Sequence, residues 1–267
     1  MNRKAIFFDI DGTLINRSGG PFPDDLAAME EAVSAGHLLF VNTGRSFANI
    51  PEPITGLTFW SGIAAGGGAH ILMKDAAEKT GHKTVYHKWV DDDGYLNEIC
   101  AWYLENKRLL VLEGEKDCYI LNPSDRRFCV RPVKIITRFD EFTRQYSDDF
   151  VTKLTIAEKP DAYERELLEK FFTVNVFPDY GEAIIKGENK AKAIKIILEN
   201  SGIKPEDSIA VGDSVNDLDM IRYAGLGVAM GNACDELKKA ASAITGNCGE
   251  GGVAQMLKRH VLMRSGF

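Results

Sequence analysis

Short runs of consecutive apolar residues recur near both ends of the chain. They are AIFF over 5–8, HLLFV over 37–41, GIAA over 62–65, SIAV over 208–211 and GLGVAM over 225–230. Continuous runs of this length fit strands of a parallel sheet covered on both faces. Between them, apolar residues return at helical spacing. Leu26, Met29, Ala32 and Val33 do so over 24–35, after Pro23-Asp24 and before Gly36, and Ala193, Ile194, Ile197 and Leu198 do so over 190–199, closed by Gly202. Further helices are predicted over 217–224, 234–241 and 253–259, with a short strand over 243–245. Strand, helix, strand in this order reads as a right-handed crossover, the unit of an open α/β sheet. Ligands in such sheets sit beyond the carboxyl ends of the strands.

From about residue 82 the pattern changes. Positions 85–90 alternate weakly, and 91–106 reads as a helix with Tyr95, Ile99, Trp102 and Tyr103 on one face. Strands are predicted over 108–112, 118–121, 151–156, 174–177 and 183–185, with a helix over 162–172. This mixture lacks a parallel-sheet rhythm and suggests an α+β module inserted into the first domain. The expected division is a core of 1–81 and 187–267 with an insert of 82–186. Gly66-Gly67-Gly68 lacks the spacing of a dinucleotide fingerprint and reads as a flexible turn.

Composition narrows the function classes. With 45% apolar and 27% charged residues the chain is an ordinary globular protein. A net charge of −7 without a basic stripe argues against a nucleic-acid partner. Cys100, Cys118, Cys129, Cys234 and Cys248 show no C-x-x-C spacing, so they read as reduced thiols rather than a disulfide framework or a zinc site. The basic start MNRKAIFF is interrupted by Asp9 and Asp11 too early for a signal peptide, and no apolar stretch is long enough for a membrane span. The expected location is the cytoplasm, without a membrane partner.

Candidate chemistry begins at Asp9 and Asp11. Strand alternation projects both carboxylates to one side, roughly 6–7 Å apart. One can attack a phosphorus atom while the other protonates the oxygen leaving on its far side. Asp-Gly also serves simply to end strands. Thr43, Lys190, and Asp213, Asn216 and Asp217 of GDSVND lie just past other strands or at helix starts. Local readings exist for each: a strand-end cap for Thr43, a solvated helix residue for Lys190, helix-capping groups for the carboxylates.

Taken in order, DIDGT (9–13), NTGR (42–45), GENKAKAI (187–194), GDSVNDLDM (212–220), GLGVAMGNA (225–233) and GVAQML (252–257) resemble the haloacid dehalogenase superfamily, and within it the Cof-type branch. The resemblance implies a Rossmann-like parallel-sheet core with a large inserted α/β cap that selects the substrate. It implies a phosphatase working through an aspartyl-phosphate, with Asp9 as nucleophile and Asp11 as acid and base. Thr43, Gly44, Lys190 and Asn216 would hold the phosphoryl group and substrate. Asp9, the main-chain carbonyl of Asp11, and Asp213 would hold Mg²⁺, and Asp217 would support Lys190 or the metal shell. The physics agrees, because converging carboxylates repel unless a cation compensates them and an all-oxygen set suits Mg²⁺. The implied partner is a small phosphate ester, with sugar phosphates the default class. Two alternatives are a sugar phosphomutase and a phosphometabolite-binding protein without chemistry. Gly67-Gly68-Ala69, Ala191 and Gly251 depart from the branch's usual Asn-Gly-Ala, Gly and Asp, which leaves the substrate open.

Overall fold

All four residues of β1 (Ala5–Phe8) are buried, as its unbroken apolar run requires. The computed structural model to which β1 belongs describes residues 2–78, 81–90, 93–122, 133–146 and 148–262. The chain continues through α1 (Pro23–Ser34), β2 (Leu38–Asn42), the single turn α2 (Glu52–Thr55), β3 (Gly62–Ala65), β4 (His70–Lys74) and β5 (His82–His87). Then follow α3 (Asp93–Glu105), β6 (Leu110–Glu113), β7 (Cys118–Leu121), β8 (Lys134–Ile135), α4 (Phe139–Gln145), β9 (Lys153–Ile156), α5 (Ala162–Leu168), β10 (Phe172–Val176) and β11 (Gly181–Ile185). The last part comprises α6 (Lys190–Ser201), β12 (Ser208–Gly212), α7 (Leu218–Tyr223), β13 (Leu226–Ala229), α8 (Asp235–Ala240), β14 (Ala243–Ile244) and α9 (Gly252–Leu257).

Two sheets result. The first has the order β14-β13-β12-β1-β2-β3-β4-β5 and the second β10-β11-β9-β6-β7-β8. From β14 to β3 the first sheet is parallel, and β4 turns back antiparallel on β3. Phe7 and Phe40 stack on neighbouring strands with ring centroids 5.0 Å apart. Phe8 stands level with Val211 on β12 and with Val41 on β2. The three strands therefore end together, and the residues that follow them share one edge.

The chain forms two compact units: Met1–Gly44, Glu52–Tyr86 and Asn189–Phe267 in one, Arg45–Pro51 and His87–Glu188 in the other. This division differs from the expected one in three places, the smallest being residues 187–188, which fall in the second unit. Residues 82–86 extend the first sheet, because β5 is its edge strand, beside β4. Residues 45–51 join the second unit through contacts with residues more than sixty positions away, which no local pattern encodes.

Other expectations are also corrected. Gly66–Gly68 is a buried 3₁₀ turn, and a Cβ on Gly68 would stand 2.6 Å from the Asn189 carbonyl oxygen. The helix expected over 162–172 stops at Leu168, and Phe172 opens β10. Of the helix expected over 91–106, Asp91 and Asp92 lie outside the described residues, as does Cys129. Among the described residues Cys100, Cys118, Cys234 and Cys248 form no disulfide, and no helix is long and apolar enough to cross a membrane.

The second unit is organised around a buried carboxylate. Glu113, at the end of β6, accepts from Ser46 Oγ at 3.0 Å, Asn49 Nδ2 at 3.3 Å and Thr155 Oγ1 at 2.5 Å. Lys153 Nζ lies 3.7 Å from it and 2.7 Å from Glu182. Burial pushes the Glu113 carboxyl upward, but Lys153 and these donors outweigh it and hold the group below its ordinary range. Its stabilisation is therefore complete above the unfolded value, near about 4.3, and is lost as pH falls through the lower folded value. Glu113→Gln turns an amide towards these donors and should cost about 3 kcal/mol at neutral pH. In denaturant titrations the gap between wild type and variant should narrow in acid below that window.

Candidate active site

Asp9 follows β1 and lies 4% exposed at the shared strand edge. Its N–H donates to the Val211 carbonyl at 3.0 Å, which fixes the start of the turn to β12. Gly12 continues that turn at φ 75°, a backbone conformation that favours glycine. A Cβ there would meet Asp213 Oδ2 at 2.1 Å. Only glycine lets the Asp9–Gly12 turn close on the residue that follows β12.

Lys190 reaches the same point from the first turn of α6. Asn189 caps that helix by accepting the Lys192 N–H, and Lys190 falls on the stripe of Ala193, Ile194 and Ile197, all buried. A solvated lysine is excluded, since the residue is 3% exposed. Its Nζ pairs with Asp9 Oδ1 at 2.8 Å and Asp217 Oδ1 at 2.5 Å.

Asp217, at the end of the 3₁₀ turn Val215–Asp217, performs two tasks at once. Its Oδ2 accepts the N–H groups of Asp213 and Ser214 at 2.9 and 3.0 Å, while its Oδ1 holds the ammonium. The capping reading and the charge-pairing reading are thus both realised in one side chain.

Burial is the main influence on the other carboxylates. It raises the Asp9 carboxyl to about 8, with Lys190 pulling down and Asp217 and Asp11 adding to the rise. It raises Asp213 to about 7, with Asp217 the next contributor and Asp11 a further one. Burial disfavours the Lys190 charge, but Asp217 and Asp9 prevail and its pKa lies above the ordinary lysine range. One lysine does not balance this concentration of acid.

A cation fits the arrangement. Asp9, Asp213 and Asp217 each offer a carboxylate oxygen, all within 4.8 Å of one another. Asp213 Oδ1 is buried without a hydrogen-bond partner. Since Asp217 already spends both oxygens on Lys190 and main-chain donors, Asp9 and Asp213 are the carboxylates with capacity left. The donors are all oxygen, the chemistry of a hard divalent ion.

The remaining candidates are positioned as follows. Asp11 is exposed, pairs with Ile15 in an isolated bridge, and is near enough for its charge to act on Asp9 and Asp213. Thr43 is buried just past β2, its N–H donating to Ala64 and its carbonyl accepting from Gly67, with the half-buried Gly44 next. Asn216 is half-buried, and its Oδ1 accepts from Ser214 Oγ at 2.6 Å. One residue escaped the sequence analysis. Asn42, fully buried at the end of β2, donates from Nδ2 to the Lys190 carbonyl at 2.9 Å and so ties α6 to the sheet. An amide closing an otherwise apolar strand was its visible signal.

The sequence profile of the haloacid dehalogenase-like hydrolases matches residues 6–257. The 5-amino-6-(5-phospho-D-ribitylamino)uracil phosphatase YcsE of Bacillus subtilis is 29% identical over 265 residues, covering 97% of this chain and 96% of its own. A Streptococcus pyogenes protein named for two activities, phosphatase and peptidyl-prolyl cis-trans isomerase, is 26% identical over 263 residues, and this chain spans only 53% of it. Among solved structures, a sugar phosphatase of HAD subclass IIB superposes with a TM-score of 0.80 at 26% identity, covering 97% of this chain and 100% of the other. With the matched profile covering nearly the whole chain, and relatives of similar length that are phosphatases, this protein belongs to the haloacid dehalogenase-like hydrolases as one of the family's phosphatases.

Proposed function

We propose that the protein is a Mg²⁺-dependent phosphatase of small phosphorylated metabolites, sugar phosphates foremost, acting through a phosphorylated Asp9. The observation that carries this reading is the convergence of the Asp9, Asp213 and Asp217 carboxylates, with Lys190 paired to two of them and Asp213 Oδ1 buried and unpartnered.

Asp9, the main-chain carbonyl of Asp11, and Asp213 would hold the ion. When bound, Mg²⁺ supplies positive charge to the phosphoryl oxygens and keeps Asp9 ionised. Lys190 and the Thr43–Gly44 turn bind and orient the phosphoryl group, and Asn216 helps to place the substrate. An Asp9 oxygen attacks phosphorus in line as the bond to the leaving oxygen breaks, and Asp11 gives that oxygen its proton. Asp11, now a carboxylate, takes a proton from water as the water oxygen attacks phosphorus. The Asp9–phosphorus bond breaks, inorganic phosphate leaves and both side chains return to their starting states. Burial of Asp9 and exposure of Asp11 suit these different roles, since a proton donor must exchange with water. Asp217 acts through Lys190, which it holds in place.

We assign recognition of the leaving group to the inserted segment, residues 87–188. The test is phosphate release from a panel of sugar, nucleotide and cofactor phosphates, with Mg²⁺ and with excess chelator. Metal-dependent release concentrated on sugar phosphates is expected. An isomerised sugar phosphate without free phosphate would identify a mutase, and silence across the panel from folded protein would overturn the catalytic reading.

A further inference from the structure

The segment after β13 braces both turns that carry the candidate cation ligands. The Met230 and Cys234 N–H groups donate to the carbonyls of Gly212 and Asp213, each at 2.9 Å, so residues 230–234 run along the turn that bears Asp213. From the middle of that segment, Asn232 Nδ2 donates to the Gly12 carbonyl at 2.9 Å and Asn232 Oδ1 accepts the Cys248 N–H at 2.8 Å. A carbonyl only accepts and a main-chain N–H only donates, so these partners define which way the amide points. On the other side, the Gly12 N–H donates to the Ile15 carbonyl at 2.8 Å. That bond fixes the planar Asp11–Gly12 peptide and with it the direction of the Asp11 carbonyl. Gly12 is thus held from both sides, directly against Asp213.

We propose that Asn232 is a positioning residue that sets the spacing between the Asp11–Gly12 turn and Asp213, and thereby makes the cation site selective for Mg²⁺ over Ca²⁺. The inference rests on the proposed reading in which Asp9, the Asp11 carbonyl and Asp213 hold the ion. Mg²⁺ demands near-ideal octahedral geometry at about 2.0–2.1 Å, whereas Ca²⁺ accepts more ligands, longer bonds and irregular shapes. Loosening a brace between two ligand-bearing turns therefore penalises the smaller ion. Asn232 is exposed, so replacing it opens no cavity in the core.

The test is calorimetric titration of the protein with Mg²⁺ and, separately, Ca²⁺, in the absence of substrate. The variants are Asn232→Ala, Asn232→Asp, Asn16→Ala and Asp213→Asn. Asn232→Asp keeps the acceptor for Cys248 and removes only the donor to Gly12, and its added charge attracts both ions alike, so the ratio of affinities is the readout. Asn16 is a neighbouring latch that bonds the Cys248 carbonyl at 3.1 Å and the Ser18 N–H at 2.8 Å. Both Asn232 variants should lower the Mg²⁺/Ca²⁺ affinity ratio about tenfold, the scale of groups that orient metal ligands, while Asn16→Ala leaves it unchanged. A wild-type ratio in Asn232→Asp, or an equal change in Asn16→Ala, would overturn the proposal. If Asn232→Ala fails to fold, Asn232→Asp decides alone. Mg²⁺ binding that survives Asp213→Asn would instead refute the cation site itself, so the two failures are distinguishable.

Discussion

Asp9→Asn is expected to lower phosphate release by about 10⁴–10⁶-fold, the scale seen when a nucleophile is removed from an otherwise intact site. The substitution keeps the shape of the side chain and removes its nucleophilic oxygen. It should leave the fold standing. Burial, opposed by Lys190 and reinforced by Asp217 and Asp11, holds the Asp9 carboxyl at about 8, so the charged form is already costly there, and a neutral amide relieves that cost. Lys190 loses one carboxylate but keeps Asp217 at 2.5 Å. Thermal unfolding of the variant should therefore stay close to wild type while turnover disappears. Turnover near the wild-type rate would remove Asp9 from the reaction.

Lys190→Ala should be damaging in a different way. It removes the cation that, among the described residues, pairs with both Asp9 and Asp217, and leaves buried carboxylates facing one another. Breaking a buried ion pair from one side costs about 3–5 kcal/mol, so a marked fall in melting temperature should accompany the loss of activity. The pH dependence has a defined sign. Asp9 and Asp213 are already raised by burial to about 8 and about 7, and without Lys190 they rise further. A carboxyl whose folded value exceeds its unfolded value, about 3.9, stabilises the fold below that unfolded value and loses the contribution as pH rises through the folded one. The variant's melting temperature should thus fall in parallel with that of wild type from about pH 4 to pH 6 and go on falling above about pH 7, where wild type levels off as Asp213 and Asp9 ionise. Added Mg²⁺ should restore part of it at neutral pH. Denaturation scans across this range, with Mg²⁺ and with chelator, check both statements.

Much of the parallel core was legible because its signals are local. An apolar run makes a buried strand, and a polar residue directly after it falls at the sheet edge; Asp9, Thr43 and Asp213 were placed in this way. Lys190 was legible from its place at a helix start, whereas its burial on the apolar stripe of α6 was not. What escaped depends on partners far along the chain. The capture of Ser46 and Asn49 by Glu113 draws 45–51 into the second unit, and neither stretch announces the other. Gly66–Gly68 carries a close approach to α6 that looks in sequence like a plain turn. Asp217 showed its capping role and its pairing role as rivals, because only the folded chain reveals that its two oxygens serve one each. The sheet edge formed by β4 and β5 was missed since its alternation is faint and its position follows a parallel run.

The central claim is that the phosphoryl group passes through Asp9, and chemical trapping tests it most directly. Enzyme quenched during turnover of its best substrate would be reduced with borohydride, which converts an aspartyl-phosphate to homoserine, and the peptides read by mass spectrometry. Homoserine at position 9, dependent on substrate and absent from Asp9→Asn, is the predicted result. Substrate-dependent reduction at another residue, or steady phosphate release with position 9 unmodified at every quench time, would contradict it.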